Sequence, residues 1–190
     1  MAYSEEDIDN YRSLADALDS LKEKVGIEVI DFTAQPIPVE LLNVLHGDVV
    51  AKLESFASAN YNEGLFDKTL RTYNRQIKLI AVWLKVFHTR GAIRQYETEE
   101  SIQGFLSSAF FNRANVYDEL RMYNEAINDY RLSLEIGNPE PWNVMQNIAI
   151  TYAKKSQFSE ARKIFNKAID IAPLNLKPKI RELLSRLNCK

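Results

Sequence analysis

The sequence predicts an all-α protein built as a stacked array of helical hairpins. Three observations carry that prediction. The stretch from residue 107 to residue 173 contains one unit twice, 35 residues apart. Apolar residues within each unit recur at helical spacing, on one face. The chain has only six glycines and six prolines in 190 residues, so long periodic runs go unbroken.

The two copies read SSAFFNRANVYDELRMYNEAINDYRLSLEIGN and WNVMQNIAITYAKKSQFSEARKIFNKAIDIAP. Ala114 recurs as Ala149, Tyr117 as Tyr152, Tyr123 as Phe158, Ala126 as Ala161 and Tyr130 as Phe165. Leu134 recurs as Ile169 and Ile136 as Ile171. Self-similarity at a fixed spacing is the mark of a repeat array. In the first copy Phe110, Ala114 and Tyr117 share one helix face. After a turn, Tyr123, Ala126, Ile127, Tyr130 and Leu134 share another. The alanines let two helices approach closely while the aromatics fill the space beside them. Pro139 and Pro173 follow the second helices, where a residue without an N–H cannot continue the ladder. One such hairpin cannot bury its apolar face alone and needs neighbours.

These residues resemble the tetratricopeptide repeat family. Its pattern places an alanine, a tyrosine three later, a turn, then A-x3-F/Y and a proline. Ala114, Tyr117, Ala126 and Tyr130 fit it, as do Ala149, Tyr152, Ala161, Phe165 and Pro173. Arg113 stands where leucine is usual, and Ser133 where alanine is usual. The period of 35 implies one extra residue, placed in the turn Asn138-Pro139-Glu140-Pro141. The resemblance implies a right-handed α-solenoid whose concave groove binds peptides or proteins.

In chain order, residues 1–38 read as an acidic N-terminal helix and linker. Ser4 is its N-cap candidate, with Glu5, Glu6 and Asp7 in the first turn and Gly26 as the stop. Ile8, Tyr11, Leu14 or Ala15, Leu18, Leu21 and Val25 form its stripe. Residues 27–38 read as an irregular connector packed through Ile30 and Phe32. Residues 39–190 read as the array. Its first helix spans 39–62, with Leu41, Leu42, Leu45, Val49, Leu53, Phe56 and Ala57 inward. Ala57, Phe66, Tyr73 and Ile77 sit at the offsets of Ala114, Tyr123, Tyr130 and Leu134, so residues 50–83 read as a degenerate repeat. Asn60 there replaces the tyrosine and Thr69 the alanine. The spacing to the next copy is 57 rather than 35, which reads as an extended helical hairpin over 66–120 with Gly91 to Glu97 at its tip. Repeats over 107–138 and 142–173 follow, then a capping helix over 176–188.

Net charge is -2, but the signs are segregated. Residues 1–40 carry ten acids and three bases, whereas residues 68–96 carry seven bases and no acid. Arg71, Arg75, Lys78 and Lys85 share one helix face, opposite Leu70, Tyr73, Ile77 and Leu84. Such a stripe suits an acidic partner or nucleic acid. A nucleic-acid binder is more often basic overall, so balance by acidic neighbours within the array is the favoured reading.

In the family that this chain resembles, the first helix of each repeat lines the groove. Asn112 and Asn147 would occupy the same site in successive repeats, each offering a donor and an acceptor to a peptide backbone. Phe111, Asn115, Asn143 and Gln146 would add contacts. NRANVY is similar to the second repeat of co-chaperones that grip the acidic tails of heat-shock chaperones, with Asn112 at the clamp asparagine. Ala51, Ser55, Asn143 and Asn147 stand where that clamp needs other residues, cations among them, which argues against it.

Nothing points to catalysis. There is no phosphate-cradling G-x-x-x-x-G-K-[ST], and His46 and His88 lie 42 residues apart without a second ligand at metal spacing. No metal and no cofactor is expected. His46-Gly47-Asp48 reads as a helical kink or polar turn. Cys189 reads as an ordinary exposed thiol, which with MAYSEEDIDNY at the start suggests a cytoplasmic protein without a leader. The run Ile77 to Phe87 is too short to span a bilayer. The expectation is therefore a non-catalytic adaptor or assembly factor that binds a peptide or helix of another protein. A factor contacting nucleic acid or an acidic partner through the stripe, a small secretion-type chaperone and a homo-oligomer are the alternatives.

Overall fold

The computed structural model describes residues 45–187, which form seven helices joined by short turns and, among those residues, no strand. The helices are α1 (Gly47–Asn62), α2 (Phe66–Arg90), α3 (Glu99–Glu119), α4 (Tyr123–Ile136), α5 (Pro141–Lys154), α6 (Phe158–Ile171) and α7 (Lys177–Leu187). Each packs against its neighbours in sequence, and α1 also touches α3. The chain is thus an α-solenoid of helical hairpins, closed at one end by α7. The expected helix over residues 4–25, the connector over 27–38, and Leu41 and Leu42 lie outside the described residues.

One boundary needs correction. The helix expected over 39–62 begins only at Gly47. His46 is extended (φ −149, ψ 143), and its Nδ1 accepts a hydrogen bond from the Asp48 N–H at 2.9 Å. A side-chain acceptor there satisfies an amide that the first helical turn leaves without a partner. His46-Gly47-Asp48 is therefore a helix start rather than a kink.

The other ends follow their local chemistry. Thr98 caps α3 in a reciprocal pair with Ser101: the Ser101 N–H donates to Thr98 Oγ1 at 3.1 Å and the Thr98 N–H to Ser101 Oγ at 3.2 Å. Gly137 closes α4 with φ 103, a left-handed conformation that suits glycine. Pro141 opens α5, where its missing N–H costs nothing.

The turn inside each hairpin has the same geometry three times. Gly64, Arg121 and Ser156 have φ of 74°, 61° and 61°. In each case the next residue's N–H donates back across the turn: Leu65 to the Asn60 carbonyl at 2.8 Å, Met122 to Tyr117 at 2.8 Å, Gln157 to Tyr152 at 2.9 Å. These bonds satisfy carbonyls that the ending helix would leave open.

Between hairpins the core is continuous. Ala114, Ala126, Ile127, Tyr130, Val144 and Ile148 form one cluster; Ala149, Phe165, Ala168, Ile169, Ala172 and Ile180 form the next. Fully burying a side chain such as Phe165 is worth about 1.5–3 kcal/mol. The buried alanines allow the close approach that the sequence implies. Ile180 brings α7 onto the last cluster.

The 57-residue spacing comes from long helices. α2 has 25 residues and α3 has 21. Their extensions have a core of their own, in which Leu79, Ile80, Trp83 and Val86 meet Ile102, Ala109 and the start of α1. Trp83 stacks on Phe105, with ring centroids 6.1 Å apart. The tip is tied down by Glu97, whose carboxylate accepts from the Ile93 N–H at 2.8 Å and from Arg94 Nη1 at 2.9 Å. The same Nη1 donates to the Leu45 carbonyl at 2.6 Å, which anchors the entry to α1.

The residues that depart from the repeat pattern are satisfied locally. Arg113, in a leucine's place, donates to both Asp129 oxygens at 2.6 and 2.9 Å and to Asn74 Oδ1 at 2.6 Å. Ser133, in an alanine's place, donates to the Ser107 carbonyl at 2.9 Å, and Ser107 Oγ donates to the Ser133 carbonyl at 3.1 Å. Thr69 Oγ1 donates to the Leu65 carbonyl at 3.0 Å, and Asn60 Nδ2 to the Phe56 carbonyl at 3.1 Å. Each bond offsets the cost of burying its polar group.

Candidate protein-binding face

Helices α1, α3 and α5 are the first members of successive hairpins, and polar side chains link them in order. Asn112 on α3 donates from Nδ2 to Glu54 Oε1 on α1 at 2.9 Å. Asp118 on α3 accepts from Thr151 Oγ1 on α5 at 2.9 Å and pairs with Lys154. The face carrying Asn112 is therefore cross-linked by hydrogen bonds before any ligand arrives.

Glu54 is a hub the sequence did not reveal. Beside Asn112, it accepts from Tyr73 OH at 3.1 Å, and Gln76 Nε2 lies 3.4 Å from its other oxygen. It joins α1, α2 and α3 through one carboxylate. Burial and then the Glu54 charge push the Tyr73 hydroxyl well above its ordinary pKa. Its place in the repeat register is regular: Glu54 lies 57 residues before Phe111, which lies 35 before Gln146, so all three occupy one site.

That regularity explains why the two asparagines behave differently. At the α1–α3 step Asn112 meets a carboxylate. At the α3–α5 step the corresponding site is Phe111, which offers no acceptor. Asn147 accordingly bonds within its own helix, from Nδ2 to the Asn143 carbonyl at 3.2 Å. The Phe111 ring instead packs against the hairpin core, 5.6 Å from the Tyr130 centroid.

Asn115 is also engaged inward, where its Oδ1 accepts from Tyr130 OH at 2.6 Å. Burial raises the Tyr130 pKa, with the Asp118 charge adding to it. Asn143 Nδ2 reaches Glu140 Oε2 at 3.4 Å. Gln146 is half-buried and, among the described residues, has no hydrogen-bond partner. The six residues thus share the helices α3 and α5, with Asn143, Gln146 and Asn147 on α5 having only local bonds or none among these residues.

The basic stripe lies on α2. Arg71, Lys78 and Lys85 are exposed and Arg75 is half-buried. Neither Arg75 nor Lys85 is free of contacts. No group of three His, Cys, Asp or Glu residues that could hold a metal ion occurs among the described residues. None of their helices is long and apolar enough to cross a membrane.

A family model described as tetratricopeptide repeat matches residues 107–136 and 143–173. Those two segments are tetratricopeptide repeats. They cover the C-terminal part of α3 with α4, and nearly all of α5 with α6. Such repeats are modules of protein–protein interaction, and the family is typically non-catalytic. The chain is also 37% identical over 79 residues to a clustered mitochondria protein homolog of Debaryomyces hansenii. The matched stretch is 40% of this chain and 6% of that protein, so the chain spans only a small part of its relative. Among solved structures, BtubC (BKLC) from P. vanneervenii superposes with a TM-score of 0.50 at 15% identity, covering 86% of this chain and 54% of that one. That likeness concerns the fold. MamA matches with a TM-score of 0.33 at 17% identity, over 84% of this chain and 90% of that one.

Proposed function

We propose that this chain is a non-catalytic adaptor or assembly factor that holds a peptide segment or helix of another protein against α3 and α5. The reading rests on one observation. Gln146, Asn147 and Asn143 sit together on α5 with only local hydrogen bonds or none among the described residues, so their amides can serve both donors and acceptors of a bound backbone. Phe111 and Asn112 extend the face on α3, where Asn112 is held in place by Glu54. We place the protein in the cytoplasm, where such a factor would meet its client. We also read α1 with the first half of α2 as a third, degenerate repeat, on the strength of the shared turn at Gly64. The experiment is site-specific photocrosslinking in native lysate with p-benzoylphenylalanine at position 146. A crosslinked protein that is lost in Asn112→Ala/Asn147→Ala supports the reading; capture unchanged by that double substitution refutes it.

A second reading has a specific observation behind it. Arg71 and Lys78 are exposed on α2, and they could meet nucleic acid or an acidic partner. RNA or heparin retention at physiological salt, lost on Arg71→Glu/Lys78→Glu, would favour it.

A further inference from the structure

We propose that the basic face of α2 is the docking site for this chain's own N-terminal segment, residues 4–25. Charge is the first argument. Helix α2 carries Lys68, Arg71, Arg75, Lys78, Lys85 and Arg90 against Asp67, a sum of +5, while residues 1–40 carry three bases and ten acids, a sum of −7. The two stretches are opposite in sign and of similar size, and the whole chain comes to only -2.

Pattern is the second. Glu5, Asp9, Asp16, Asp19 and Glu23 follow steps of four, seven, three and four, so a helix over 4–25 would put them on one face. That acidic row would run about 27 Å at 1.5 Å per residue, against about 21 Å from Arg71 to Lys85 on α2. Acidic and basic rows of similar length can therefore pair along the two helices.

Reach is the third. The chain enters the described structure at Leu45, pinned by Arg94 beside the tip of the α2–α3 hairpin. Twenty residues separate Val25 from Leu45, a span of up to about 66 Å when extended. α2 is about 37 Å long. The segment can therefore lie along any part of α2 without strain. Docked there, it covers the surface that nucleic acid would need, while α3 and α5 stay available to a client.

Hydrogen exchange on the full chain tests this. In the wild type, amides of residues 4–25 should be protected at low salt, independently of protein concentration. Arg71→Glu/Lys78→Glu should cut that protection about tenfold while residues 107–173 exchange as before, which shows that the array is still folded. Adding Asp16→Lys/Asp19→Lys to that variant should restore it. Unprotected residues 4–25 in the wild type, or protection indifferent to charge reversal, would overturn the proposal. Protection that falls on dilution would overturn it too, by placing a second copy on the face. So would RNA that binds α2 and leaves the protection of residues 4–25 unchanged.

Discussion

The guanidinium of Arg113 and the carboxylate of Asp129 meet in two parallel hydrogen bonds at the site where the following repeat places Ile148 and Ile164. Adding 35 to each number gives the second pair, so an ion pair and an aliphatic pair occupy one position in consecutive hairpins. The Asp129 side chain is 3% exposed and that of Arg113 17%. Arg113 also lies over the rings of Phe110 and Tyr117 at 5.3 and 5.6 Å. Burial costs the guanidinium its hydration, and the bonds to Asp129 offset this, leaving its pKa raised.

Breaking this pair should cost far more than replacing it. Arg113→Leu leaves a buried carboxylate without its partner and should destabilise the chain by about 3 kcal/mol. Arg113→Ile/Asp129→Ile, which copies the next repeat, should lose about 1 kcal/mol or less, the Asn74 contact being the remainder. Urea unfolding of the two variants measures both. Equal losses would show that the pair is not the unit of stability.

Two tyrosines should make the fold sensitive to strong base. Burial, aided by Glu54 for Tyr73 and Asp118 for Tyr130, raises both pKa values above the ordinary 10.0. Each stays protonated in the folded chain after it ionises in the unfolded one, so its contribution is complete below pH 10 and declines above it. The expected slope is about 1.4 kcal/mol per pH unit for each tyrosine. Tyr73→Phe and Tyr130→Phe should each flatten the stability profile between pH 10 and 11, measured by urea titration.

The three hairpin turns differ in how comfortably they hold one conformation. Gly64 adopts its positive φ freely, whereas Arg121 and Ser156 hold φ 61° with a side chain attached. Arg121→Gly and Ser156→Gly should each stabilise the chain by about 0.5 kcal/mol, the relieved strain exceeding the added freedom of the unfolded chain. Gly64→Ala should cost about 1 kcal/mol although open space surrounds it, because the strain lies in the backbone. Thermal melts of the three variants check the opposite signs.

Glu54 should matter to stability and to the binding face together. Glu54→Ala removes the acceptor of Tyr73 and Asn112 and should cost about 2 kcal/mol. Glu54→Gln keeps one acceptor oxygen and should cost less than about 1 kcal/mol. Chemical denaturation separates the two.

Legibility in the sequence depended on distance along the chain. The hairpins over 107–173 are readable because helix period, the small alanines, and Pro139 and Pro173 after the second helices all act within a few residues. The helix start at Gly47 was missed because Leu41, Leu42 and Leu45 continue the apolar spacing, while the His46 cap is a single hydrogen bond that no periodicity encodes. Arg113 and Ser133 stood out only as misfits. Their partners Asp129 and Ser107 lie on neighbouring helices, and nothing in either sequence window names the other.

Local signals suffice for the stacked α-hairpins of residues 107–173, because period, small residues and stop signals act at short range and each hairpin must bury its apolar face on the next. Packing between helices sets which polar side chains are tied across the array. Asn112 and Asn147 are equivalent in sequence, yet the first is bonded to Glu54, 58 residues away, and the second is not. That difference depends on what the adjacent helix carries at the point of contact, which packing brings together and chain order does not.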